Sequence, residues 1–148
     1  MTETFFVDTN VLVYARDASE AEKQPEAEAW MHHLWRERTG RLSYQVLQEF
    51  YVTVTGKLDP GMDPGEAREE VRSLLVWRPV TMNQRVLETA WRIQDRYRLA
   101  WWDSLIVAEA RAAGCRYLLT EDLQHHQALG DLTVLSPFEI SPDTLPRG

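Results

Sequence analysis

The sequence predicts an α/β protein with a mostly parallel sheet covered by helices on both faces. Two observations carry that reading. Short apolar runs ("FFV", "CRYLLT", "LTVL") alternate with longer segments of helical period, and pairs of those segments are long enough to cross over between parallel strands. Acidic and other polar residues directly follow the first and a later strand, where sites form in such sheets. At 148 residues, 44% hydrophobic and 26% charged, the chain is expected to close a hydrophobic core as a single domain over residues 1–148, with "SPDTLPRG" as a loose tail.

Each element has a local reason. "FFV" at Phe5–Val7 predicts a short buried strand, and Asp8, Thr9 and Asn10 behind it favour caps and turns. "VLVYA" predicts a short helix. The next helix opens at or just before Pro25, turns Trp30, Met31, Leu34 and Trp35 inward, and stops before Gly40. "RLSY" is a brief strand candidate. Between Gln45 and Thr55, the apolar Val46, Leu47, Phe50, Tyr51 and Val54 keep helical spacing, with Gly56 at the stop. "DPGE" supplies Asp63 as cap, Pro64 in the first position and Glu66 reaching back, for a helix running to about Val76. "RPVT" predicts a short strand, and Asn83 caps a helix bearing Val86, Leu87, Ala90 and Trp91. The helix around Asp103 ends at Gly114, before a strand in "CRYLLT" and a last strand near Leu132.

Composition narrows the function. A net charge of −7 and a pI near 5.1 disfavour holding nucleic acid by bulk charge, which takes clustered Lys or Arg. An acidic metal site, or a surface meeting a basic partner, gives the same total. The single Cys115 forms no intrachain disulfide and suits a reducing cytosol. No apolar run has the length of a membrane span, and "MTETFF" lacks the basic start of a secretory signal, so a soluble cytoplasmic protein without membrane contact is expected. The chain has no Gly-rich phosphate loop, no G-x-S-x-G elbow and no Cys/His zinc pattern. The adjacent pairs His32–His33 and His125–His126 would point their rings about 100° apart within a helix. The tryptophans read mostly as core, except Trp101 and Trp102, which adjoin Asp103.

Asp103 is the anomaly. At helical spacing it shares a face with Ile106, Val107 and Ala110, and a carboxylate aimed at a core is costly unless something pairs with it. Each acid has a local explanation. Asp8 and Asp122 can cap, Asp103 can favour a helix N-terminus, Glu49 can edge an apolar stripe and Glu121 can lie on the surface. Taken together they fit a different account. Carboxylates brought to one sheet edge repel unless a cation sits among them, and hard oxygen donors suit Mg²⁺ or Mn²⁺. Such an ion lowers the pKa of bound water and stabilises charge on a phosphate under attack.

The segments "FFVDTNVLVYA", "VLQEFY", "WWDSLIVAEA" and "LLTEDL" stand in the order and approximate spacing of PIN domains. From Phe5 to about Phe138 the chain resembles the VapC-type toxins of bacterial and archaeal toxin–antitoxin pairs. The resemblance implies a three-layer α/β/α sandwich and metal-dependent endoribonuclease activity, with Asp8, Glu49, Asp103 and Asp122 as the catalytic acids. Asp8, Asp103 and Asp122 would hold Mg²⁺ or Mn²⁺ directly or through water, and Glu49 would bind the ion or orient the attacking water. Thr9, Asn10 and Thr120 match the polar positions beside these acids, and Asn10 and Thr120 would orient carboxylates or waters. Glu121 lies where the family pattern requires no acid.

The resemblance further implies in-line hydrolysis of RNA to a 5′-phosphate and a 3′-hydroxyl, a homodimer, and a small VapB-type antitoxin covering the groove. DNA binding would belong to the antitoxin and not to this chain. RNA would meet local positive charge, with Arg16, Lys57 and Arg98 as candidates. Two other readings stay open: a non-catalytic PIN-like module that binds RNA or protein, and an aspartate-based phosphatase. The second usually needs another Asp where this chain has Asn10.

Overall fold

The computed structural model describes residues 3–145. Five strands, β1 (Phe5–Val7), β2 (Gly40–Arg41), β3 (Tyr117–Leu119), β4 (Ala128–Leu129) and β5 (Leu132–Leu135), form one sheet in the order β2-β1-β3-β5-β4. All neighbours are parallel except β4 and β5. Phe5 pairs with both Gly40 and Tyr117, and Tyr117 pairs with Thr133. Consecutive residues of a strand face opposite sides, and Phe5, Phe6 and Val7 are all buried, so both faces of the sheet are covered at its centre.

Six helices connect these strands among the described residues: α1 (Thr9–Arg16), α2 (Lys23–Glu37), α3 (Tyr44–Gly56), α4 (Pro64–Leu74), α5 (Gln84–Tyr97) and α6 (Trp101–Ala112). No helix among the described residues is long and apolar enough to cross a membrane. Asp63 and Asn83 cap α4 and α5 through their side chains, as their positions predict. The core centres on Trp30, Phe6, Phe50, Leu12 and Leu34, and the Trp30 indole donates to the Ile140 carbonyl at 3.0 Å.

Several expectations change in the folded chain. "RLSY" contributes only Arg41 to β2, because Ser43 is the cap of α3 and Tyr44 already helical. "RPVT" makes an isolated bridge from Val80 to Ser43 instead of a strand. The helix expected to reach Val76 ends at Leu74 and tightens into a 3-10 turn, Leu75–Trp77. α2 does stop before Gly40, at Glu37, with Arg38 in the left-handed position at φ 60°. Gly40 is needed for space: a Cβ there would lie 2.6 Å from the Trp77 ring.

Trp35 and Trp91 do not face the core; they are 38% and 52% exposed. Each follows a buried helical neighbour, Leu34 or Ala90, and one residue turns a helix by about 100°. His125 and His126 lie outside any helix, so their rings stack at 3.8 Å instead of diverging. The tail carries a 3-10 turn at Pro142–Thr144, and residues 146–148 lie outside the described residues.

Candidate functional site

The parallel ladder runs on into the site. The Asp8 N–H donates to the Leu119 carbonyl and the Thr120 N–H to the Leu135 carbonyl, each at 3.1 Å. The residue after β1 and the residue after β3 are thereby fixed side by side at the carboxyl edge of the sheet. The Thr120 hydroxyl donates to Asp8 Oδ2 at 2.8 Å and accepts from the Asn10 amide at 3.3 Å and the Asp122 N–H at 3.0 Å. Asp8 also accepts from the Thr9 N–H at 2.7 Å, so it does cap α1. Its capping and its place in the site are one arrangement.

Around Asp8 opens a pocket of about 460 Å³ that also meets Asn10, Glu49, Asp103 and Asp122. α3 brings Glu49, which accepts from the Thr9 hydroxyl at 3.1 Å. The first turn of α6 brings Asp103, where a helix N-terminus favours negative charge. Ile106, itself a buried core residue, also lines the pocket beside it, while Val107 and Ala110 lie wholly in the core. The apolar face that made Asp103 anomalous is therefore split between core and pocket wall. Tyr14, Asp17, Glu20, Gln45, Thr53 and Trp102 complete the rim, and the sequence reading assigned none of them to the site.

The electrostatics are one-sided. Six acids line the pocket and, among the described residues, no lysine or arginine does. Burial raises the Asp8 carboxyl to about 6 against the opposing pull of the Thr120 and Thr9 hydrogen bonds, and the charges of Asp122 and Glu49 raise it further. Asp103 is raised first by burial and then by Asp122. Glu121 is turned elsewhere: the Lys23 ammonium donates to it at 3.0 Å and the Tyr14 hydroxyl at 2.5 Å. Arg16 is engaged with Glu70 at 2.6 Å.

One acid escaped the sequence reading. Glu109 of α6 is 1% exposed, with Oε1 unpartnered. Burial lifts its carboxyl to about 7, the Ser43 hydrogen bond opposes that rise, and the charges of Glu49 and Asp8 add to it. A glutamate inside the apolar run "LIVAEA" was the available signal.

The donor set suits a hard divalent cation. It is all oxygen, Asp8 has lone pairs beyond the two in use, and Asn10 Oδ1 beside it is a buried acceptor with no partner. Among the described residues, no three acids or histidines form a ready coordination shell.

The chain is similar in fold to a solved toxin–antitoxin complex from Klebsiella pneumoniae, at 18% identity and a TM-score of 0.62, over 93% of this chain and 100% of that one. No curated protein matches the chain. The model of the PIN domain family matches residues 5–129. That span holds β1, all six helices and the six acids that line the pocket, and the chain belongs to the PIN domain family.

Proposed function

We propose that this chain is a metal-dependent endoribonuclease, the toxin of a VapBC-type toxin–antitoxin pair, acting as a single domain over residues 1–148 in the cytoplasm. The observation that carries the reading is Asp8, a buried carboxylate fixed by Thr120 and facing a pocket shared with Glu49, Asp103 and Asp122. Membership of a family whose members are generally nucleases supports it.

Asp8, Asp103 and Asp122 would hold Mg²⁺ or Mn²⁺, which would supply positive charge to the phosphate and lower the pKa of water. Glu49, anchored by the Thr9 hydroxyl, orients the attacking water. Asn10 steadies the Thr120 hydroxyl through its amide N–H, and Thr120 in turn holds the Asp8 carboxylate in place. In-line hydrolysis of an RNA phosphodiester leaves a 5′-phosphate and a 3′-hydroxyl. Six acids without a lysine or arginine also suit an arginine from a basic antitoxin segment, and the resemblance to VapC-type toxins implies a homodimer.

The test is cleavage of a mixed cellular RNA pool by purified, partner-free protein. Mg²⁺ or Mn²⁺ is compared with excess EDTA, alongside Asp103→Asn verified as folded by circular dichroism. Metal-dependent cutting that falls about a hundredfold or more in the variant is expected. Cutting that survives the substitution or EDTA, or no cutting by either protein, overturns the reading.

A further inference from the structure

Trp102 exposes 64% of its surface at the rim of the acidic pocket, whereas Trp101 beside it packs against the core. Burial of the largest apolar side chain is ordinarily favourable, so an indole left open at a polar site stands out. Helical spacing puts Trp102 and Ile106 on one face of α6, and both line the pocket. They form its apolar wall. In the same pocket, α3 contributes Gln45 and Thr53, side chains with both donors and acceptors of hydrogen bonds.

The charge pattern says what such a wall is for. With six acids and no basic side chain lining the pocket among the described residues, the protein offers a polyanion no cationic grip at this point. Beyond the cation proposed for the acids, a nucleic acid seated here must be held by contacts that ignore charge. Stacking of a base on an aromatic face is such a contact, and it is available only to an unpaired base.

We propose that Trp102 is a stacking platform for one unpaired nucleobase next to the scissile phosphodiester, making it a binding residue that selects single-stranded RNA. The proposal rests on the ribonuclease reading above. Gln45 and Thr53 face the edge of that base and discriminate among bases.

The experiment uses wild-type protein, Trp102→Ala and Trp102→Phe with Mn²⁺. The probe is a single-stranded RNA oligonucleotide spanning a cut mapped in cellular RNA, and copies of it with one abasic residue on either side of the cut. Trp91→Ala, removing another exposed indole that does not line the pocket, serves as control. For Trp102→Ala, KM should rise about five- to thirtyfold with kcat within about twofold, Trp102→Phe should restore most of the loss, and Trp91→Ala should match wild type. One abasic copy should erase the difference between wild type and Trp102→Ala.

Cutting by the wild type with KM unchanged in Trp102→Ala overturns the stacking proposal and leaves the ribonuclease reading intact. So does a loss of affinity for a basic partner chain without a change in KM, which would assign the indole to a protein contact. Failure of the wild type to cut any RNA overturns both.

Discussion

Helix α6 joins two clefts of similar size and opposite character. Its N-terminal end brings Trp102, Asp103 and Ile106 to the acidic pocket of about 460 Å³. Its C-terminal end brings Arg111 and Gly114 to a cleft of about 510 Å³ at the amino ends of β3 and β5, with Arg96 and Asp131. The helix macrodipole favours both placements, negative charge at the start and positive at the end. The two ends differ in how their charges are satisfied. Arg111 donates to the Leu129 carbonyl at 2.6 Å, a contact that ties α6 to the sheet. At the other end burial and the charge of Asp122 lift both Asp103 and the neighbouring Asp8, and among the described residues no lysine or arginine lines that pocket. One end of α6 has its charge answered within the fold, and the other faces further acids across a pocket.

Asp8→Asn tests that contrast most severely. Cleavage should fall about a hundredfold or more, while stability in EDTA should rise. Burial lifts this carboxyl from 3.8 to about 6, so the folded state holds the proton more tightly than the unfolded chain. Stability is therefore lost as pH climbs through that window, and the ionised form carries the full cost above it. Asparagine escapes that cost, and Tm at pH 7.5 should increase by several °C. A variant that loses both activity and stability would make Asp8 chiefly a helix cap.

Glu109→Gln asks the same question away from the pocket wall. The wild-type carboxyl moves from 4.5 to about 7, so its contribution is favourable below about pH 4.5 and lost by about pH 7. The variant should gain several °C in Tm at pH 8 and nothing at pH 4. A gain that is the same at both would show that the charge on Glu109 is not what matters. Arg111→Ala should have the smallest effect, a loss of about 1 kcal/mol from the missing bond to Leu129, read by urea denaturation, with RNA cleavage unchanged. A large fall in cleavage would mean that the two ends of α6 are coupled.

Much of the fold was legible because it is local. The buried run at Phe5–Val7, the caps at Asp63 and Asn83, and the apolar spacing of α3 are written in neighbouring residues. Strand limits were less legible, since β2 and β4 have two residues each and depend on partners distant in sequence. Trp35 and Trp91 show the limit of helical patterning: a residue at the margin of an apolar stripe is buried only if another element covers it.

The sequence by itself determined which residues could do chemistry. Four acids in four separate segments, and an aspartate on an apolar helical face, were visible before any coordinates, because residue type and helical period need no tertiary information. Tertiary structure alone decided how they are used. It locked Thr120 to Asp8 across the sheet, turned Glu121 away to Lys23 and Tyr14, engaged Arg16 with Glu70, and hid Glu109 in the interior. Hydrogen bonds between residues distant in sequence, and the cost of burying a charge, exist only once the parallel strands have brought those residues to one edge.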